Sequence, residues 1–494
     1  MSTLQFAALV IAAVGPLLLL ARLTRFPAPL ALVATGAASV FLPGLPDTKV
    51  DPQLLITLFL PPIIYAAAIR VSVQLFRHTL GPGVGIGCAL AIVTIPAVAV
   101  TARWLLPGLD WPSALLLGVV GALVDTRLFH EADGRPKVPR AIADALKARE
   151  IVARVIALGF LGVLLHAVAG GATTPLGAAG SFTWALMAGG AAGWALARVT
   201  RWLCGFARPA PVEIAVSIAL PYAGALLAGS LGLSLSATII AAALTVSSTE
   251  IDPETGSPRS SSEARISATT FWEEVSLFLS AVLFLLAGRA MPEALEALKD
   301  GPVWRTAGTA VLLALLVLAL QFAFSYLAAS LPAPAKALRD RRRETGEEVT
   351  RLAAAGVMAW ACTPSILGII VALSAPPGMK DRGLALVVAA LLIIGAVLVQ
   401  GLTLRTVVHV ASLGDEAEER GEERLATDAA AQVADGEPDT DRGLDAVRRT
   451  LLQLREDDHI GDEVLQKTLR EADLSARAAQ GPAAAMPGAG PPNP

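Results

Sequence analysis

Charge is scarce in this sequence. Only 16% of its 494 residues are Asp, Glu, Lys or Arg, where a soluble domain carries about a quarter. That deficit argues against a purely cytosolic enzyme. Neither sign of charge dominates: the formal net charge is −3, which argues against nucleic acid as the main partner. Cysteine is almost absent. Cys88, Cys204 and Cys362 each sit inside an apolar stretch, with no sign of a disulfide framework. A Gly-rich phosphate loop, a nucleophile elbow and clustered His/Cys metal spacing are all missing. The chain is therefore read as not an enzyme, with no resident cofactor or metal.

What is present is apolar: 54% of the residues are hydrophobic and the mean hydropathy is +0.61. A helix needs about 20 predominantly apolar residues to cross a bilayer, and scanning for such stretches gives about thirteen. They centre near Val14, Val33, Ile56, Ile92, Leu117, Leu158, Met187, Leu220, Ile240, Leu283, Leu316, Ala361 and Leu391. Pro61 and Pro62 interrupt the third, and the eighth and ninth are divided only by a short break at Gly229–Ser234, open to reading as one kinked helix. With the N-terminus outside, the inside loops collect roughly three times as many Lys and Arg as the outside loops. This places the C-terminal tail in the cytoplasm. The sequence thus predicts an all-α, polytopic membrane protein with a small cytoplasmic helical tail. Residues 1–410 form the transmembrane domain, 411–443 an acidic linker, 444–478 a helical segment and 479–494 a disordered end rich in Pro, Gly and Ala.

Ionisable side chains at membrane depth cost about 2.5–3.5 kcal/mol each on insertion scales, so they mark functional candidates. Asp125 stands in the cytoplasmic half of the fifth span. Glu150 and Arg154 follow in the sixth, one turn apart and on one face. Glu213, Glu273 and Glu274 lie near helix starts, where a carboxylate simply complements the helix dipole. His166 reads as interfacial and Arg149 as an inside anchor. Asp125 and Arg154 are harder to place in water, which leaves two readings: a salt bridge between them, or an ion or proton site built on Asp125. Pro364, flanked by Thr363 and Ser365, predicts either a plain kink or a discontinuous helix of the kind that lines transport cavities.

Several segments, in order, resemble the sodium/proton exchanger family of monovalent cation:proton antiporters. They are Leu58-Phe-Leu-Pro-Pro-Ile-Ile-Tyr-Ala-Ala-Ala-Ile-Arg70, Glu213 to Ser234, Phe271-Trp-Glu-Glu through Gly288, and His459-Ile-Gly-Asp-Glu-Val464 in the tail. The resemblance implies inverted repeats with broken, crossing helices, alternating access, a homodimer in the inner (plasma) membrane, and exchange of Na+ or K+ for H+. The family's Thr-Asp-Pro falls on Val124-Asp125-Thr126, so the carboxylate is kept. Its Glu-Ser, two apolar residues, then Asn-Asp falls on Glu150 through Arg154-Val155, or one residue earlier on Ala153-Arg154. Either way the second carboxylate is missing. The family's Arg before Gly falls on Pro364-Ser365. The expected ion and proton site is Asp125, Thr126, Glu150, Arg154, Thr363 and Ser365, with Pro364 and Glu213 structural. The guanidinium of Arg154 is expected beside Asp125, in the place of a cation. Three functions stay open: an antiporter with an altered site, a non-transporting sensor or partner-binding protein on the same scaffold, and a transporter of a different, anionic solute.

Overall fold

The computed structural model describes residues 3–24, 28–41, 55–69, 82–126, 140–170, 174–204, 210–247, 262–296, 303–332, 350–365, 367–376, 379–410, 416–434, 441–457 and 459–479. The disordered end expected beyond residue 479 lies outside them. Almost every described element is a helix. In order they are α1 (Thr3–Thr24), α2 (Ala28–Ser39), α3 (Leu60–Ala68), α4 (Pro82–Leu105), α5 (Trp111–Ala122) and, after a two-residue strand β1 (Val124–Asp125), α6 (Arg140–Val168). Then come α7 (Pro175–Cys204), α8 (Ala210–Leu231), α9 (Leu235–Ser247), α10 (Ser262–Glu296), α11 (Val303–Ala329) and α12 (Arg351–Ala361). A second two-residue strand, β2 (Thr363–Pro364), leads to α13 (Leu367–Leu373) and α14 (Arg382–Val410).

Among the described residues six stretches are long and apolar enough to cross a membrane: Val84–Leu105, Ala145–Val168, Val212–Leu231, Thr270–Pro292, Val303–Ala329 and Arg382–Leu404. Shorter apolar helices accompany them, among them Ile56–Ala68, Trp111–Ala122 and Leu235–Ser247. Only intrahelical bonding satisfies the backbone in lipid, which is why such apolar runs become helices. Where helical bonding lapses, the sequence supplies a reason. A π-helical turn over Leu55–Phe59 precedes α3, so Pro61 and Pro62 fall in the first turn, where no intrahelical N–H is needed. The Gly229–Ser234 break is a true boundary between α8 and α9: Gly232 takes φ +64°, outside the right-handed helix.

Helices in lipid gain little from hydrophobicity and associate by close packing at small residues. Gly288 of α10 lies so near α2 that a Cβ there would stand 2.0 Å from the carbonyl oxygen of Val33. Gly118 does the same for α5 against α4: a Cβ would stand 2.3 Å from the oxygen of Ile95. Because backbone, not a flexible side chain, is in the way, Gly118→Val must push the half-helix off its seat. A thermal melt in detergent is expected to show loss of several degrees, and an unchanged midpoint would mean that α5 is not fixed by this contact.

The core contains an internal repetition. A long helix (α4), a half-helix with an extended end (α5–β1) and a long helix (α6) are matched by α11, α12–β2 and α14. Each half-helix opens on a capping side chain: Asp110 accepts from the Ser113 N–H, and Thr350 from the Ala353 N–H. Each ends after about three turns. α5 caps at Leu123 with φ −79°, ψ 106°, and α12 at Cys362 with φ −89°, ψ 90°. The two extended ends pair antiparallel, Val124 opposite Pro364 and Asp125 opposite Thr363. That is a crossing of two broken helices, and the proline contributes by having no N–H with which to continue α12. Past Val410, helices over Glu416–Ala434 (α15, within the stretch expected as an acidic linker), Asp441–Glu456 (α16) and Asp462–Ala479 (α17) enclose their own core of Ala426, Val447, Leu451, Ile460, Val464, Leu465 and Leu469.

Candidate functional site at the crossing of two broken helices

The crossing collects Asp125, Glu150 and Arg154, three of the ionisable side chains that the sequence places at depth, and adds Arg149. Asp125 is 6% exposed, Glu150 8%, Arg154 3% and Arg149 1%, in a region otherwise filled by Ala, Val, Leu and Ile. Backbone groups freed by the broken helices are taken up locally: the Ser365 N–H donates to the Leu123 oxygen at 2.9 Å, and the Thr363 hydroxyl to the Asp125 oxygen at 3.2 Å. The Ser365 hydroxyl faces the Asp125 carboxylate at 3.4 Å. Thr363 and Ser365 therefore line the site, and Pro364 shapes it through the β2 pairing.

Glu150, reaching over from α6, is held on both oxygens. One accepts from the Thr126 hydroxyl at 2.6 Å and the Thr126 N–H at 3.2 Å; the other takes the guanidinium of Arg154 in a short ion pair. Here the arrangement differs from the expected one. Arg154 makes its ion pair with Glu150, not with Asp125. The reason is helical geometry: positions i and i+4 stand one above the other on α6, whereas Asp125 sits on an extended segment that turns its carboxylate toward Ser365.

Arg149 is a second correction. Read from sequence as an inside anchor, it is buried. It donates through Nη1 to the Ser325 hydroxyl of α11 at 2.7 Å and through Nη2 to the Cys362 thiol. Cys362 is the C-cap of α12, where the helix dipole leaves a partial negative charge. A guanidinium there is well placed even with neutral partners. Arg149 thus ties α6, α11 and α12 together at the crossing, and Cys362 lies within electrostatic reach of Arg149, Glu150 and Asp125 at once. A buried Arg one residue before Glu150 was legible as adjacent in sequence, but its partners lie on elements more than 170 positions away.

The remaining candidates stand elsewhere. Glu213 is buried in the first turn of α8, a helix packed on α3, α7, α9 and α10. Glu273, Glu274 and His166 are exposed. Trp272, next to Glu273, packs on Tyr65 of α3 with ring centroids 4.7 Å apart, and its ring N–H donates to Ser217 of α8. No group of His, Cys, Asp and Glu suited to hold a metal occurs among the described residues. Among the described residues the site offers two carboxylates and the hydroxyls of Thr126, Thr363 and Ser365, with two guanidiniums beside them: it can bind a small cation or a proton.

The fold matches that of a solved antiporter. The sodium proton antiporter MjNhaP1 from Methanocaldococcus jannaschii superposes with a TM-score of 0.59 at 12% sequence identity, over 83% of this chain and 99% of that one. At sequence level, the profile of the family described as "Sodium/hydrogen exchanger, transmembrane" matches residues 9–410. This chain belongs to the sodium/hydrogen exchanger family. Its similar relatives include an uncharacterized Na(+)/H(+) exchanger of Mycobacterium tuberculosis, 27% identical over 420 residues, 83% of this chain and 75% of the relative. An uncharacterized Na(+)/H(+) exchanger of Escherichia coli K12 is 25% identical across 55% of this chain and 50% of its own length. The Na(+)/H(+) antiporter NhaS2 of Synechocystis is 24% identical across 55% and 48%. As an exchanger-family member the chain is a multi-pass membrane protein of a transporter class.

Proposed function

We propose that this chain exchanges a monovalent cation, sodium or potassium, for protons by alternating access, with Asp125 as the carboxylate that carries both. The observation that carries the reading is Asp125 itself: an acidic side chain 6% exposed, held on the crossing where two half-helices stop and Ser365 and Thr363 supply neutral oxygens. A group in that setting can bind a desolvated cation or a proton and expose it to either side as the repeats rock. Glu150 is excluded from the same work, because Arg154 and Thr126 occupy both its oxygens. Exchange on this scaffold then runs through one carboxylate where the family motif has two.

The distribution of Lys and Arg supports a plasma (inner) membrane location with the α15–α17 module in the cytoplasm, and family membership supports a homodimer. A second reading has its own observation. Among the described residues the buried charged side chains of the site, Asp125 and Glu150 against Arg149 and Arg154, sum to zero charge, a balance reached without a cation that suits a sensor or partner-binding protein that does not transport.

Reconstitution separates the two. Purified protein in liposomes with a trapped pH-sensitive dye is expected to show proton movement on addition of Na+ or K+ but not of choline. Absence of any cation-dependent signal, with the protein folded and inserted, would assign the chain to the second reading; a signal that followed the anion instead would indicate an anionic solute.

A further inference from the structure

Gln321 of α11 is 1% exposed, and neither its amide oxygen nor its amide nitrogen has a hydrogen-bond partner in the protein. Thr94 of α4 is equally buried at 1%, with its hydroxyl also unpartnered. Native interiors seldom tolerate such groups unless a bound water or ion completes them. The two residues stand at one depth. Val98 of α4 and Val317 of α11 meet at Gly121, where a Cβ would lie 3.2 and 3.1 Å from their methyl groups. Gly87, earlier on α4, packs on the backbone of Arg149, whose side chain reaches Ser325, later on α11. α4 and α11 therefore run antiparallel. Thr94, one turn before Val98, and Gln321, one turn after Val317, step to the same side and come level with each other. Along α11, Gln321 lies between Val317 at the end of α5 and Ser325 of the Arg149–Cys362 chain, one turn (about 5.4 Å of rise) from Ser325.

We propose that Thr94 and Gln321 form a neutral-oxygen station for a monovalent cation beside the crossing. Hard cations take oxygen ligands, and the Thr94 hydroxyl and Gln321 amide carbonyl offer two without adding charge. The need for them follows from the charge balance: among the described residues Asp125 and Glu150 are offset by Arg149 and Arg154, so a cation held by Asp125 gains from neutral oxygens nearby. The Gln321 amide nitrogen donates to a water in the cation's remaining shell. The station deepens the exchange reading by naming residues that set cation affinity and preference, and it rests on that reading only for what passes through it.

The test is thermal unfolding of the full-length protein in detergent, titrated with NaCl or KCl while choline chloride keeps ionic strength constant. A ligand that binds only the folded state raises the midpoint as its concentration passes Kd, so the wild type is expected to show a rise with at least one alkali cation. Gln321→Leu is expected to keep or raise the midpoint in choline, since two unpartnered polar atoms become apolar, and to lose most of the alkali-dependent rise. Thr94→Val is expected to behave alike, and Gln321→Glu to retain the rise. An undiminished rise at the same apparent affinity in Gln321→Leu would overturn the proposal and leave the amide as a holder of water only; so would a wild type with no rise. A wild type with the rise but no dye response in liposomes would sink the exchange reading and leave the station standing.

Discussion

Arg154→Ala is expected to destabilise the protein by about 3 kcal/mol, the low end of the range for removing one partner from a buried ion pair. The guanidinium is 3% exposed and its partner Glu150 11% on its side chain, so solvent does little to screen the loss. The figure sits at the low end because Thr126 still donates two hydrogen bonds to the other carboxylate oxygen. A melt in detergent should show the midpoint several degrees lower. The decisive comparison is Glu150→Gln combined with Arg154→Ala. The neutral amide keeps an acceptor for Thr126 and leaves no charge behind, so the double variant should recover most of the loss. If it is as unstable as Arg154→Ala alone, the two side chains are not coupled and the pair has been misread as an energetic unit.

The same pair explains why part of the site was legible in the sequence and part was not. Asp125, Glu150 and Arg154 stood out because apolar flanks made their charge conspicuous, and the i,i+4 spacing of the last two is a property of one helix. The partner assigned to Arg154 was wrong because it required knowing where an extended segment points its carboxylate. Local periodicity says nothing of that: β1 gets its direction from pairing with β2, 238 positions later in the Asp125–Thr363 contact. Pro364 announced a break in its helix, since a residue without an N–H cannot continue it. The matching break after Ala122 has no proline to mark it. Arg149 went unrecognised for a related reason. Two residues after Lys147 and near the end expected in the cytoplasm it reads as a surface anchor, and only tertiary packing against Ser325 and Cys362 buries it. Thr94 and Gln321 carry no charge, so nothing in the sequence sets them apart from the polar residues that helices commonly satisfy for themselves.

Asp125→Asn is expected to bring cation-dependent proton movement down to the level of protein-free liposomes while the fold survives. The amide has nearly the carboxylate's shape and can still accept from the Ser365 hydroxyl. Exchanging the charge for a neutral group lifts a desolvation cost but leaves the buried guanidiniums in excess of Glu150, and because the two effects oppose each other the melting midpoint should shift only modestly. Transport fails for two reasons that act together. An amide neither takes nor gives up a proton near neutral pH, and with Asp125 neutral the buried side chains keep Arg149 and Arg154 against Glu150 alone. The crossing is then one unit positive and repels the cation it would have to admit. Asp125→Glu separates these effects. It restores both the charge and the titration, at the cost of one methylene pressed against β2, so slow but measurable exchange should return. Undiminished exchange in Asp125→Asn would mean that the proton travels on Glu150 after all, and that its ion pair with Arg154 opens in every cycle.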